Sequence, residues 1–365
     1  MDGEARTSFA RVAHPSPVPD AERAARIADP GFGRVFTDHM VQIRYVEGCG
    51  WHDAEVGPRR ALTLDPATAV LHYAQEIFEG LKAYRVADGG AVLFRADANA
   101  RRFARSAERL AMPPLPKAMF LDAVRTLVAV DRGWIPSGEG GSLYLRPFMF
   151  ASEAFLGVRP AREYLFLVIA SSVGAYFKGD AKAVRIKVAR DHTRAAPGGT
   201  GAAKCGGNYA ASLFVQSEAI AQGCDQVVFL DARERRFVEE LGGMNVFFAF
   251  ADGTLRTPPL DGTILPGITR DSLIMLARDD GLTVLEEPYA IDDWRRDAAS
   301  GHLREAFACG TAAVVTPIGT IRDDAGDFTI GGGGPGQLAE RLRSRLVAIQ
   351  RGEAPDPHGW VERLF

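Results

Sequence analysis

The pattern from Thr37 to Val46 predicts an extended strand, a Gly48-Cys49-Gly50 turn follows, and a return strand completes an expected hairpin. Between Leu71 and Tyr84 a short segment is interrupted by the turn-like Phe78-Glu79-Gly80, and Ala91 to Arg95 reads as a strand. Ala100, Phe103, Ala104, Ala107 and Leu110 then recur on one face of a helix that Asp97 is placed to cap. Pro113, Pro114 and Pro116 end it, and Lys117 to Asp131 predicts a second helix. Ser142 to Phe150 and Glu163 to Ser172 follow as strands, the second so continuously apolar that burial on both faces is expected.

The pattern changes after Val173 to Lys182, where a domain boundary fits. Val184 to Ala189 predicts a strand, Tyr209 to Gln222 a helix, and Gln226 to Leu230 a strand. Phe237 to Ala251 reads as a strand pair broken by Gly242-Gly243, and Thr269 to Asp280 as a helix. Strands near Leu282 to Glu287 and Ala312 to Thr316 precede a closing helix from Pro335, striped with Leu338, Leu342, Leu346 and Ile349. The expected fold class is α+β: an N-terminal domain over 1–172 (1–30 a loose arm), a linker over 173–183, and a larger domain over 184–365.

Composition narrows the function. The 365 residues carry 43 basic and 46 acidic side chains, a net −3, without the basic footprint of a nucleic-acid binder. Cys49, Cys205, Cys224 and Cys309 form no CxxC, as expected of isolated thiols in a reducing cytoplasm. Met1-Asp2-Gly3-Glu4 lacks a signal-peptide core, and the longest apolar run, Tyr164 to Phe177, is too short to span a bilayer. The seven histidines are scattered, so no metal site is expected. Glycine, at 39 residues, is in excess, which fits tight turns and close backbone approach to a ligand.

Three stretches bear on chemistry. From Gly198 to Tyr209 one lysine, Lys204, stands among small residues, open to a planar ligand; a buried lysine loses its charge readily and its amine then forms Schiff bases. A plain surface loop would read the same way. Glu239 and Glu240 are consecutive on a strand, so one should face inward and one solvent; the inward carboxylate needs a cation, such as a protonated pyridine nitrogen. An ordinary strand end before a glycine turn is the alternative. Leu265-Pro266-Gly267-Ile268-Thr269-Arg270 opens a helix, as an anion site or a simple cap. Arg102, early in its helix, suits a phosphate or plain solvation. Tyr144 and Arg146 alternate with Leu143 and Leu145 on a strand, facing either a carboxylate ligand or an internal ion pair. Gly331 to Gly334 matches no phosphate loop and reads as a connection.

In their order and spacing, Phe78-Glu79-Gly80-Leu81-Lys82-Ala83, Tyr144-Leu145-Arg146-Pro147, Lys204-Cys205-Gly206-Gly207-Asn208-Tyr209, Glu239 to Asn245, Leu265 to Arg270 and Gly310-Thr311-Ala312 together form one pattern. That pattern resembles the branched-chain amino-acid aminotransferases, pyridoxal-phosphate enzymes of fold type IV. The resemblance runs from Phe32-Gly33-Arg34 through the last helix. It implies a two-domain, D-amino-acid-aminotransferase-like architecture with the active site between the domains and the lysine in the larger one. It also implies a cytoplasmic homodimer that exchanges the amino group of L-leucine, L-isoleucine or L-valine with 2-oxoglutarate by a ping-pong route.

The same resemblance assigns roles. Lys204 would carry the cofactor and move the proton, Glu240 would face the ring nitrogen, and Tyr209 the ring's phenolic oxygen. Arg102, Ile268, Thr269 and Thr311 would hold the phosphate. Thr311 and Ala312 would meet the α-carboxylate, and Phe36, Tyr73, Phe78, Tyr144 and Gly243 would wall an aliphatic pocket. Arg146, with Tyr144, would meet the distal carboxylate of glutamate, and Leu156 and Val158 would reach a partner's pocket. Relatives from animals carry a redox CxxC after the Gly-Thr-Ala turn; here Ala313 and Thr316 occupy those positions. A D-amino-acid aminotransferase, an aminodeoxychorismate lyase, an enzyme acting on a modified amino acid and a non-catalytic binding protein on the same scaffold remain alternatives.

Overall fold

Strand Glu163–Val173, the most apolar stretch of the chain, runs through the middle of a sheet and is buried along nearly its whole length. The computed structural model describes residues 7–138, 140–174 and 183–365. The chain divides into two compact units, Met1–Tyr176 with Ala203–Gly206 and Ile349–Phe365, and Phe177–Ala202 with Gly207–Ala348. This division differs from the expected boundary in two places. Ala203–Gly206, with Lys204, and the C-terminal segment both belong to the first unit. Of the expected linker, 175–182 lie outside the described residues.

In the first unit the strand order is Ala10–Arg11, Gly50–Pro58, His39–Val46, Glu163–Val173, Ser142–Ala151, Leu81–Arg85, Ala91–Phe94 and Val361–Arg363. Glu76–Phe78 pairs with Ser142–Ala151, so the Phe78-Glu79-Gly80 turn separates two short strands that both pair with it. Helices Ala96–Arg109 and Lys117–Val130 contribute Phe103 and Phe120, whose rings meet Phe166 of the central strand at 5.5 and 6.1 Å. Burying each such ring stabilises the unit by about 2–3 kcal/mol. Asp97 does not cap its helix: Arg95 holds the N-cap position at φ 50°, and Asp97 pairs with Arg101 one turn on at 2.5 Å. The arm expected to be loose contains helix Asp20–Ala28, whose single large apolar side chain, Ile27, packs partly buried against the unit's core.

The second unit's strands run Val238–Leu241, Gln226–Leu230, Val184–Ala189, Val314–Arg322, Leu303–Gly310, Asn245–Phe250, Thr254–Thr257 and Thr283–Glu286. Val184–Ala189 and Gln226–Leu230 are parallel, as a crossover carrying helix Gly206–Ala221 requires. Strands Val238–Leu241 and Asn245–Phe250 are not a hairpin. The first lies at the sheet's end beside Gln226–Leu230, the second between Leu303–Gly310 and Thr254–Thr257, so Gly242-Gly243 is a transfer between two places in one sheet. Helix Ile291–Ser300 and strands Thr254–Thr257 and Leu303–Gly310 add to the expected elements. The closing helix, Gln337–Gln350, buries Leu342, Leu346 and Ile349 as its stripe predicts.

Candidate active site

The backbone of Lys204 is fixed from both sides within the first unit. Its carbonyl accepts the Phe78 N–H at 3.0 Å, and its own N–H donates to Ser106 Oγ at 3.0 Å. The side chain is half-buried, and its Nζ stands 4.8 Å from the centroid of the Phe78 ring. The guanidinium of Arg146 stands equally close to that ring, at 4.8 Å, and donates from Nη2 to the Tyr144 hydroxyl at 3.0 Å. Arg146 Nε is buried without a hydrogen-bond partner. Gly80 is required beside this group, because a Cβ there would overlap the Tyr144 hydroxyl.

Beneath them lies an ion pair that the sequence did not announce. Glu79 is fully buried and accepts from Arg102 twice, Nε to Oε1 at 2.7 Å and Nη2 to Oε2 at 2.8 Å. Asn99 Nδ2 adds a bond to Oε2 at 2.7 Å. Burial pushes the Glu79 carboxyl up, but Arg102, Lys204 and Asn99 outweigh it and hold the group below the usual carboxylate range. Arg102 is therefore neither a solvated arginine nor simply an open phosphate ligand; its fork is oriented by Glu79. Glu76 accepts the Gly206 N–H, and burial, partly offset by that bond and by Arg146, raises its carboxyl.

Phe36 and Tyr144 flank Ser171 in register, one on each side of the central strand. Phe36 has Arg59 over its ring at 5.1 Å. Tyr73, on helix Val70–Tyr73, donates its hydroxyl to the Leu156 carbonyl, and Leu156 and Val158 are 60% and 90% exposed.

In the second unit Glu240 is buried and surrounded by donors: Arg194 Nη1 at 2.9 Å, the Leu265 N–H at 2.9 Å and Asn245 Nδ2 at 3.3 Å. Arg194 is a protein cation beside Glu240 that the sequence did not announce. One expectation is corrected here: Glu239 is buried like its neighbour, because strand Val238–Leu241 is covered on both faces. Glu239 Oε1 accepts from Thr263 Oγ1 at 2.7 Å, Oε2 is buried without a partner, and burial pushes the carboxyl up to about 7.

Helix Ile268–Asp279 starts at Gly267 with no side-chain cap, so its first N–H groups are presented at an uncapped end beside the buried Thr269. Gly267 cannot carry a side chain: a Cβ would overlap Oδ1 of Asn245, the residue that also holds Glu240. Gly243 lies against Tyr209, with room for a Cβ 3.5 Å from its ring. Thr311 and Ala312 form the turn from Leu303–Gly310 into Val314–Arg322, and Val314 closes it at φ 63°, in the left-handed region that β-branched residues avoid. The Cys309 thiol before the turn is buried and pushed up by that burial, which removes it as a nucleophile.

The structure thus brings Phe78, Tyr144, Arg146 and Arg102 into the surroundings of Lys204. It gathers Glu240, Thr269 and Ile268 near the shared Asn245. Glu76, Glu79, Ser106, Arg194 and Asn245 were not singled out from sequence. Glu79 and Asn245 lay inside the quoted motifs; Arg194 and Ser106 are isolated residues with no pattern around them.

A family model described as Amino-transferase class IV matches residues 76–321. A branched-chain-amino-acid aminotransferase of Mycobacterium tuberculosis (strain CDC 1551 / Oshkosh) is 56% identical over 354 residues, 96% of each chain. A probable branched-chain-amino-acid aminotransferase of Streptomyces coelicolor is also 56% identical, over 95% of this chain and 96% of its own. Among solved structures, the Escherichia coli branched-chain amino acid aminotransferase superposes with a TM-score of 0.72 at 29% identity, over 89% of this chain and all of that one. The branched-chain amino acid aminotransferase from Thermobaculum terrenum, in its PLP-form, gives 0.72 at 25% identity, over 89% and 98%.

Proposed function

The chain belongs to the class IV aminotransferases, among the branched-chain-amino-acid aminotransferases, and on that premise we propose that it exchanges the amino group of L-leucine, L-isoleucine or L-valine with 2-oxoglutarate. Its cofactor is pyridoxal 5′-phosphate, and the residues present fit that group. Glu240 is a buried acceptor suited to a protonated ring nitrogen, and the uncapped start of helix Ile268–Asp279 suits a phosphate. When bound, the cofactor supplies a conjugated ring that takes up the electron pair left at the substrate Cα.

The chain's own groups do the rest. Lys204 Nζ holds the cofactor and then carries the proton between Cα and C4′. Glu240, kept in place by Arg194, Asn245 and Leu265, holds the ring nitrogen in its protonated form. Tyr209 donates to the phenolic oxygen, and Arg102, Ile268, Thr269 and Thr311 hold the phosphate. Thr311 and Ala312 orient the α-carboxylate through backbone N–H groups.

Phe36, Tyr73, Phe78, Tyr144 and Gly243 receive the aliphatic side chain. An apolar pocket separates such close homologues by only about 1–3 kcal/mol, so all three branched amino acids are accepted. Arg146 meets the distal carboxylate of glutamate, a role supported by its buried Nε without a partner. We assign a homodimer in which Leu156 and Val158 enter the partner's pocket. The exposed apolar side chains of Leu71, Leu156 and Val158 support this. We assign the cytoplasm, supported by four free cysteines.

The observation that carries the reading is Lys204, pinned at its backbone between Phe78 and Ser106 with Glu79 and Arg102 as neighbours. Borohydride reduction of the cofactor-loaded enzyme, followed by peptide mapping, should label Lys204 alone, and Lys204→Ala should abolish both labelling and turnover. Label retained in that variant refutes the assignment. Assays with L-leucine, D-alanine and aminodeoxychorismate should give turnover with the first only.

A further inference from the structure

Along strand Ser142–Ala151 the half-exposed residues are Tyr144, Arg146 and Phe148, and those alternating with them, Leu143, Leu145, Pro147 and Met149, are buried. Met149 pairs with Phe166, whose ring meets Phe103 and Phe120, so helices Ala96–Arg109 and Lys117–Val130 cover the buried face. Tyr144, Arg146 and Phe148 stand on the other, more open face. Residues directly opposite one another on paired strands share a face. That rule adds Phe78, opposite Phe148, and Phe36, joined to Tyr144 through Ser171.

Just before Phe36 the chain crosses the end of this face. The Gly31 carbonyl accepts the Gly174 N–H at 3.3 Å, and Val35 pairs with Ser172, so the segment between them is held at both ends to the end of the central strand. From there the Phe32 ring reaches Tyr144 edge to face, with centroids 5.3 Å apart and planes at 64°. Gly31 and Gly33, on either side of it, have φ of 64° and 68°, and a Cβ on either would meet nothing within 4 Å. These glycines serve the left-handed backbone that aims Phe32, not close packing.

Phe32 ends a series that starts at Lys204. Lys204 Nζ stands 4.8 Å from the Phe78 ring. The Arg146 guanidinium is 4.8 Å from that ring and 5.4 Å from the Tyr144 ring, and Tyr144 meets Phe32. At 43% exposed, Phe32 keeps apolar ring surface on which a carbon chain can lie. We infer that Phe32 is a specificity-determining residue: its ring is the wall of the aliphatic pocket furthest along this series from Lys204, and it sets the length of side chain the pocket takes. The inference rests on the proposed reaction, in which this face receives the amino-acid side chain. Leucine, branched one carbon further out than valine, leans on Phe32 more, and the longer side chain of phenylalanine is stopped by it.

The test compares parent holoenzyme with Phe32→Ala and Phe32→Leu. Calorimetric titration uses 4-methylvalerate and 3-phenylpropionate, the carbon skeletons of leucine and phenylalanine without the amino group. Phe32→Ala should weaken the first and tighten the second, so that the ratio of the two affinities shifts by about tenfold or more, and Phe32→Leu should fall between. In steady-state assays the ratio of kcat/KM for L-leucine to that for L-valine should fall several-fold in Phe32→Ala, the loss appearing in KM. Should Phe32→Ala fail to fold, Phe32→Leu should still move the affinity ratio by about threefold. Unchanged ratios, or equal losses with leucine, valine and phenylalanine skeletons, in a parent that turns over L-leucine would overturn this inference and leave the reaction standing. A parent without L-leucine turnover would refute the reaction and the inference together.

Discussion

Arg102 and Glu79 form a two-point ion pair in which neither side chain reaches solvent appreciably, 5% exposed on one side and 0% on the other. Glu79→Gln keeps the shape but leaves the guanidinium buried without its countercharge, a loss of about 3–5 kcal/mol in denaturant unfolding. Because the Glu79 carboxyl is held low in the folded state, its contribution is present above the ordinary carboxylate range and is lost as pH falls through the folded value. The variant's stability should accordingly fall less on acidification than the parent's. Parallel pH curves for the two would remove the pair as a source of stability.

Arg194 and Glu240 should show the same interdependence. Arg194→Met strands a buried carboxylate and costs about 3–5 kcal/mol, whereas Arg194→Met combined with Glu240→Gln should recover part of that loss because both charges leave together. Each single variant should also release the cofactor more readily, measured as absorbance lost on dialysis. Additive stability losses in the double variant would refute the coupling.

Gly80→Ala should act on the substrate rather than on the cofactor. Its methyl group would overlap the Tyr144 hydroxyl, displacing the acceptor that fixes Arg146. The KM for 2-oxoglutarate should rise about tenfold, and that for L-leucine much less, since only the former presents a distal carboxylate. Equal changes in both would show general damage to the site.

Glu239 gives a pH dependence of opposite sign to Glu79. Its carboxyl is raised to about 7, so the folded state binds a proton that the unfolded chain has already lost. Stability contributed by that proton is full below the ordinary range near 4.5 and disappears as pH rises through about 7. Glu239→Gln, which cannot ionise, should be more stable than the parent by about 1 kcal/mol at alkaline pH, allowing for partial solvent screening. No difference between them on the alkaline side would count against a buried acid here.

Val314 provides a test of backbone strain. Replacing a buried valine by glycine in a strand ordinarily costs about 3 kcal/mol. At φ 63° the substitution also relieves about 1–2 kcal/mol of strain, so the expected net loss is only about 1 kcal/mol. The loosened Thr311-Ala312 turn should show as a higher KM for both amino-acid and oxo-acid substrates. A full-sized stability loss would mean that the turn holds no strain.

The parts of this protein that were legible from sequence are those governed by periodicity or by motif order. The central strand Glu163–Val173 and the stripe of helix Gln337–Gln350 follow from apolar spacing alone, and the family from the order of the lysine, carboxylate and helix-start stretches along the chain. What stayed hidden depends on long-range meeting. Arg194 finds Glu240 and Ser106 finds Lys204 across large separations, with no local pattern to betray either. Glu239 was misread because strand alternation predicts one wet face, and that prediction fails where a sheet is covered on both sides. The helix Asp20–Ala28 escaped because Ile27 is its one large apolar residue, too little to mark a stripe.

The first unit is closed by Val361–Arg363, which pairs with Ala91–Phe94 only after the chain has built the whole second unit, and it receives Lys204 on a four-residue excursion, Ala203–Gly206. A ribosome therefore cannot release this unit finished. Its edge strand and Lys204 both arrive late, so the nascent N-terminal portion waits incomplete and open to chaperones. For the same reason no single cut in the gene separates the units: trading either one between homologues requires exchanging three stretches of the first or both stretches of the second.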